Sequence, residues 1–363
     1  MIKVMHILTD CNVGGAGRWL LNFLKNADKT NFNIEVILPK GSLLAGFIRR
    51  TGVHVEELPF LAEKSLDLKA LKPLYSYIKS SKPDIVHAHA SLTARIAARL
   101  AGIKAIVFTK HCLDNKASVL KKTANRIINS LFCDRIIAIS EAVKTSLVEN
   151  GTPARKVTVI YNGIQPVNKV SEAEKDEFRQ KLGINPDDAV VGIVARLEDV
   201  KGHRYFLEAA SLIKNKMNNV KFIIAGTGSQ LANIKMKVKE LALVNNVILT
   251  GYIDDIEKLF GIFDVNVITS ISEALCLSLI EGMSTGLPSV AFETGGIAEV
   301  VDEKCGFLVP AGDTEKLAEA IIKLLNNKEL RDKMGIEGKR IANTKFSARI
   351  MVNKIENLYS ELI

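Results

Sequence analysis

The sequence predicts an α/β protein of two doubly wound domains, each a parallel sheet with helices on both faces. Three observations predict it. Short apolar, β-branched runs recur about every 20–40 residues, and stretches of helical periodicity separate them, which is the alternation of βαβ units. A polar stretch from Val167 to Asp188 interrupts this pattern, which restarts at Val190. The 363 residues are enough for two domains of ordinary size.

The strands are expected, in order, at Val4–Leu8, Ile34–Leu38, Val53–Leu58, Ile85–His89, Ile106–Thr109, Ile136–Ile139 and Val157–Tyr161. After the polar break they are expected at Val190–Ala195, Val220–Ala225, Val247–Thr250, Val265–Thr269, Ser289–Phe292 and Phe307–Val309. This places one domain at residues 1–165 and a second at 166–347, with a cleft between them. The amphipathic tail from Ala348 to Ile363 is expected to be a helix that packs back on the first domain. In such sheets ligands bind at the carboxyl ends of the strands.

Composition narrows the class. Hydrophobic residues make up 47% and charged residues 25%, as in globular proteins, and no apolar run approaches the ~20 residues needed to span a bilayer. The opening MIKVMHILTD reads as a strand leading into a glycine-rich loop, not as a signal peptide. Five cysteines (Cys11, Cys112, Cys133, Cys276, Cys305) are odd in number and lack a CxxC pair, which points to a reducing cytoplasm without disulfides or structural zinc. Residues 1–165 carry 24 Lys and Arg against 12 Asp and Glu, and the remainder 25 against 28. A basic first half suits an anionic partner: phosphate groups, an acidic membrane surface or nucleic acid.

The chemistry concentrates in TSISEALCLSLIEGMSTGLPSVAFETGGIAE, Thr269 to Glu299. Glu273 falls in a strand-to-helix loop, the apolar segment Ala274 to Met283 has helical composition, and Glu281 is expected about two turns into the helix. Backbone N–H groups near Leu275, Cys276 and Leu277 are the unpaired donors of the helix start, which attract phosphate. Glu273 can accept hydrogen bonds from hydroxyls beside that phosphate, and Glu281 can accept a bidentate pair from a vicinal diol such as a ribose. A sugar–diphosphate–nucleoside carries those parts in that order. Taken alone, the pair also describes an ordinary helix start with a second glutamate on a solvated face.

Other segments converge on the same predicted sheet edge. In VARLEDVKG, Arg196 leaves a strand and Lys201 follows five residues later, two cations able to neutralise a diphosphate without a metal. IIAGTGS turns tightly at Gly226 and Gly228, and TGYI ends a strand with Tyr252, an aromatic able to cover a base. In the first half, ahead of a helix expected at Trp19–Leu24, Gly14, Gly15 and Gly17 allow backbone to come close to a ligand, although the spacing is not GxGxxG. His87 and His89 share one side of a strand, and His89 and His111 stand at successive strand ends, with no third residue at metal-ligand spacing. The stretch Asn115–Leu131, expected to be helical, carries Lys116, Lys121, Lys122 and Arg126 interleaved with apolar residues and could rest on an anionic membrane.

The order of these motifs, from GGAGR through HAH, VARLEDVKG, AGTG, TGY and SEALCLSLIEGMSTGLPSVA to GGIAEVV, resembles the retaining GT-B glycosyltransferases of the large bacterial group 1, similar to glycosyltransferase family 4, over nearly the whole chain. The resemblance implies two Rossmann-like domains, an acceptor-side one first and a nucleotide-sugar-binding one second. It implies ribose contact for Glu281, donor-sugar contact for Glu273 with N–H groups of Leu275 to Leu277, and diphosphate contact for Arg196 and Lys201. It implies that Gly15 approaches the phosphates and that His89 lies beside the transferring sugar. His111 and Arg18 become acceptor-side candidates. Cys112 stands where many relatives have glycine. The implied reaction moves a hexose or N-acetylhexosamine, with retention, from a UDP- or GDP-sugar to a hydroxyl acceptor, which the basic half suggests is lipid-linked. No bound cofactor, metal or nucleic acid is expected, and the expected location is the cytoplasm, peripheral to the membrane. The competing readings are a UDP-sugar 2-epimerase of the same architecture and a basic nucleic-acid binder, although no aromatic-rich basic element supports the latter.

Overall fold

A computed structural model describes every residue except 10–13, 63 and 169. Cys11, one of the five cysteines, therefore lies outside the described residues, as does the start of the loop that leads to Gly14. The chain forms two compact units, Met1–Gln165 with Phe346–Ile363, and Pro166–Lys345.

Unit 1 holds seven strands: β1 (Ile2–Leu8), β2 (Phe32–Pro39), β3 (His54–Leu58), β4 (Ile85–His89), β5 (Ala105–Lys110), β6 (Arg135–Ala138) and β7 (Val157–Val159). They form one sheet in the order β3-β2-β1-β4-β5-β6-β7, and every pairing is parallel. The order reverses at β1 and β4, the switch point beside which ligands bind in open α/β sheets.

Alternation along each strand assigns side chains to faces. Met5, Ile7, Val86, Ala88 and Ile106 face a core with Leu74 and Ile78 of helix Leu68–Ser81 and Ala94 and Ala97 of helix Leu92–Leu100. Val4, Leu8, Ile85 and Val107 face the other core, which is shared by Trp19, Leu20 and Phe23 of helix Gly15–Asn26. The C-terminal helix Ala348–Ser360 adds Met351, Val352, Ile355, Leu358 and Tyr359 to that second core. Burying side chains of this size contributes roughly 1.5–3 kcal/mol each, which holds the tail on unit 1. Parity places His6, His87, His89 and Thr109 on this same face.

Unit 2 holds six parallel strands: β8 (Ala189–Val194), β9 (Val220–Ala225), β10 (Val247–Gly251), β11 (Val265–Ile268), β12 (Ser289–Phe292) and β13 (Gly306–Val309), in the order β10-β9-β8-β11-β12-β13. Its switch point lies between β8 and β11. Each of the thirteen strands falls on a run marked in the sequence.

Three helix starts differ from expectation. The helix after β1 begins at Gly15, ahead of the apolar run at Trp19, because glycines in its first turn give no apolar periodicity. The basic helix begins at Val119 and not near Asn115, since Ser118 caps it by accepting a bond from the Lys121 N–H. The helix after β11 begins at Leu277 rather than Ala274, because Cys276, buried with Leu275 ahead of it, is extended. Glu281 is therefore the fifth helical residue, one turn in and not two. No helix among the described residues is long and apolar enough to cross a membrane.

Candidate functional site

At the carboxyl edge of the unit 2 sheet, loops from five strands are stitched together by main-chain bonds. The Leu197 N–H donates to Thr227 O at 2.9 Å and the Gln230 N–H to Leu197 O at 2.8 Å, joining the loops after β8 and β9. The Gly226 N–H donates to Gly251 O at 2.8 Å, which adds β10. Ile271 N–H donates to Val200 O and Gly296 N–H to Glu273 O, both at 2.9 Å, which ties the loops after β8, β11 and β12. Glu198 clamps the glycine turn, accepting from the Ser229 hydroxyl at 2.7 Å and from its N–H at 3.3 Å.

Gly226 and Gly228 have a packing reason to be glycine. A Cβ at Gly226 would lie 2.0 Å from Ala195 O, and one at Gly228 would lie 2.4 Å from Leu197 O. The turn must press against the loop that carries Arg196, whatever else it binds.

The switch point brings Lys201 and Glu273 into an ion pair, with both side chains mostly buried. The Lys201 carbonyl accepts from the Thr269 hydroxyl at 3.1 Å, so Lys201 is fixed at both ends. Arg196 is exposed nearby in sequence on the same loop, and Glu281 is half-buried. Tyr252 is 64% exposed at the end of β10. Helix Leu277–Ser284 starts at Cys276 without a side-chain cap, and burial pushes that thiol up to about 11, so it stays neutral at the helix start. His203, which opens the next helix after Lys201, is buried, and burial together with the Lys201 charge lowers it to about 4.

At the carboxyl edge of the unit 1 sheet, the two histidines expected to matter belong to a larger group. His6 pairs in register with His87, and Leu8 with His89, so β1 sets its own histidine beside those of β4. His89 Nε2 lies 3.1 Å from His6 Nδ1, and His89 Nδ1 lies 3.0 Å from His111 Nε2. His6 Nε2 is 3.3 Å from the Tyr359 hydroxyl, which also meets His87 Nδ1, and His87 Nε2 is 2.6 Å from the Thr109 hydroxyl. Burial holds His6 and His111 down at about 3 and His87 and His89 well below the ordinary value of 6.5, so all four rings are neutral at pH 7.

His89 is fully buried with both ring nitrogens engaged. Arg18 is half-buried in the helix that follows the glycine turn. Gly14 precedes that helix in ordinary extended conformation, and a Cβ at Gly15 would meet nothing within 4 Å. One nitrogen from each of His6, His87 and His89 lies within 4.8 Å of the others, as metal ligands would. Yet these nitrogens are engaged within the chain: His6 Nδ1 faces His89 Nε2 at 3.1 Å, and His6 Nε2 and His87 Nδ1 both meet the Tyr359 hydroxyl.

Residues 174–341 match the family described as glycosyl transferases group 1, and residues 13–167 match glycosyltransferase family 4. The UDP-Gal:α-D-GlcNAc-diphosphoundecaprenol α-1,3-galactosyltransferase of Escherichia coli is 28% identical over 100% of this chain and 97% of its own. The capsular polysaccharide biosynthesis glycosyltransferase CapM of Staphylococcus aureus is 27% identical over 99% and 97%. Among solved structures, Anabaena Alr3699/HepE in complex with UDP superposes with a TM-score of 0.87 at 23% identity, over 99% of this chain and 100% of that one. A glycosyltransferase from Rickettsia africae gives 0.88 at 22%, over 99% and 98%. The chain belongs to the group 1 glycosyltransferases, with the two-domain Rossmann-like architecture called GT-B.

Sequence reading missed His6, Tyr359 and Glu198. The parity of His6 along β1 was a usable signal, but its partner strand was not known. Tyr359 sits 353 positions away from His6 and gave no signal at all.

Proposed function

We propose that the protein is a retaining, metal-independent transferase that moves a hexose or N-acetylhexosamine from a UDP-sugar to a hydroxyl of a lipid-linked acceptor in cell-envelope polysaccharide or glycolipid synthesis. The observation that carries this reading is the uncapped helix start at Cys276, set at the unit 2 switch point beside the Lys201–Glu273 pair. Names of relatives supply the finer terms: the E. coli enzyme is named for UDP-Gal and a diphosphoundecaprenol acceptor, and Anabaena HepE has been solved with UDP and with UDP-glucose.

In this reading Glu281 accepts the ribose hydroxyls and Tyr252 covers the base. The N–H groups of Leu275, Cys276 and Leu277 meet the diphosphate, with Gly226 and Gly228 lining the turn beside it. Arg196 and Lys201 supply the positive charge that a metal supplies in other transferases. Glu273 orients the sugar hydroxyls. Its ion pair with Lys201 makes it a weak nucleophile, so attack on the same face by the acceptor is favoured over a covalent intermediate. The bond from C1 to the diphosphate breaks, the bond from C1 to the acceptor oxygen forms, and the acceptor proton passes to the departing phosphate. Unit 1 is the proposed acceptor side, with His89, His111 and Arg18, and backbone approach to an anion is the role proposed for Gly14 and Gly15.

The basic helix Val119–Leu131 suits a peripheral place on an anionic inner membrane face. Val119 and Leu120 are 82% exposed, Ile127 54% and Leu131 57%, with Lys121 and Arg126 exposed between them. The test of the whole reading is release of UDP from a panel of UDP-sugars in EDTA. Turnover that survives the chelator is expected, whereas complete loss restored by Mn²⁺ would refute metal independence.

A further inference from the structure

The histidine chain of unit 1 has a direction. A neutral imidazole carries one N–H and one bare nitrogen. A Tyr359 hydroxyl that accepted from both neighbours would leave its own buried proton without an acceptor, so along His111, His89, His6, Tyr359, His87 and Thr109 every hydrogen points the same way. If the hydrogens point toward Thr109, its own hydroxyl proton has no acceptor among the described residues, and His111 Nδ1 is left as a bare lone pair. If they point toward His111, every O–H and N–H in the chain meets an acceptor except the last, on His111 Nδ1. The second direction leaves fewer buried groups unmet.

That last atom is buried and has no partner among the described residues, and His111 follows the end of β5. Trp19 Nε1 is a second buried N–H without a partner, on a ring whose centroid lies 5.7 Å from that of His111 and 4.8 Å from that of His89. Two orphan donors at one sheet edge call for an oxygen that the described residues do not supply.

We propose that Tyr359 and His6 are positioning residues that fix His111 as an Nδ1–H donor, and that His111, not His89, donates a hydrogen bond to an oxygen of the acceptor substrate. This rests on reading the carboxyl edge of the unit 1 sheet as the acceptor side. His89 has no nitrogen to offer, since His6 and His111 occupy both. Its part is to pass the orientation set at Tyr359 on to His111. The C-terminal helix thus reaches the acceptor side through one hydroxyl.

The first test needs no substrate. In the full chain labelled with ¹⁵N at its histidine rings, nitrogen shifts distinguish protonated from bare ring positions. All four rings should carry their proton on Nδ1 at pH 7.5, and a proton on Nε2 of His89 or His111 would overturn the proposal. Tyr359→Phe keeps the ring packed and removes the hydroxyl, so His6, His89 and His111 should show mixed tautomers. Unchanged tautomers in that variant would remove Tyr359 from the account.

The second test measures transfer from UDP-galactose and other UDP-sugars to GlcNAc-diphosphoundecaprenol, with UDP affinity alongside. His111→Ala should raise the acceptor KM about tenfold, the effect of losing one well-placed hydrogen bond, and Tyr359→Phe about twofold, since an even tautomer mixture leaves about half the rings competent, with the UDP Kd unchanged in both. His111→Asn returns an N–H near the Nδ1 position and should recover most of the loss. Equal defects in the Ala and Asn variants, or a defect in UDP affinity in place of acceptor KM, would overturn the assignment. If the tautomers come out as expected but no UDP-sugar is transferred, the acceptor reading fails and the donor role of His111 fails with it.

Discussion

Lowering the pH from 7.5 to 5 should cost unit 1 about 8 kcal/mol of stability, against about 2 kcal/mol for unit 2. The perturbation acts through buried histidines. His6 and His111 titrate at about 3 in the folded chain, and His87 and His89 lie well below 6.5. All four are in unit 1. The folded values are depressed, so their contribution is complete above the unfolded value of about 6.5 and is lost as the pH falls from there toward 3. At pH 5 the folded rings stay neutral while each unfolded histidine binds a proton, worth about 2 kcal/mol per ring. Because only the unfolded chain titrates in this range, the hydrogen bonds that couple the rings do not alter the sum. Unit 2 contributes one such ring, His203, held at about 4. Whole domains are stable by roughly 5–15 kcal/mol, so unit 1 should approach its unfolding threshold at pH 5. Hydrogen exchange resolved by peptide, corrected for intrinsic rates, reads the two units separately. Protection of β1, β4 and β5 should collapse between pH 6.5 and 5 while β8 and β9 hold. Parallel loss in both sheets, or none in either, would refute the assignment of neutral buried rings.

Three further outcomes follow from the geometry. Lys201→Met should destabilise unit 2 by about 3 kcal/mol in urea, since it strands the mostly buried Glu273 carboxylate, and Lys201→Met with Glu273→Gln should recover most of that; equal losses in the two proteins would mean the pair is energetically idle. Gly226→Ala should lower the melting temperature of the ligand-free chain, because its Cβ would overlap Ala195 O, and a variant of unchanged stability would leave ligand approach as the reason for the glycine. The protein should sediment with phosphatidylglycerol liposomes at low salt and be released at high salt, with each cation near the surface contributing roughly 1 kcal/mol. Changing Lys116, Lys121, Lys122 and Arg126 to glutamine should abolish sedimentation without affecting UDP release, and a wild-type chain that ignores such liposomes would argue for a soluble acceptor.

The strands were legible because buried parallel strands are nearly continuous β-branched runs, and thirteen such runs stand out. Strand order was not, because pairing is set by distant partners. Its consequence is largest at the switch points. Lys201 and Glu273 were each marked as site candidates, but their ion pair spans 72 positions and depends on β8 lying beside β11. The turn at Gly226 and Gly228 read as a place for ligand approach, while the close backbone behind it could be seen only in three dimensions. The tail read as amphipathic from its periodicity, yet the hydroxyl it places among the histidines had no local signature. His89 was marked by its position at a strand end, and the rings that occupy both its nitrogens come from β1 and from the end of β5.

The most direct measurement of the central claim is calorimetric titration of UDP into the wild-type chain and into Glu281→Ala, both in EDTA. Binding without metal is expected for the wild type. Loss of a hydrogen bond to a charged group should weaken the variant by about tenfold to a hundredfold, from a cost of roughly 1.5–3 kcal/mol. Equal UDP affinity in the two proteins, or no binding to the wild type until a divalent cation is added, would contradict the assignment of this sheet edge as a metal-free nucleotide-sugar site.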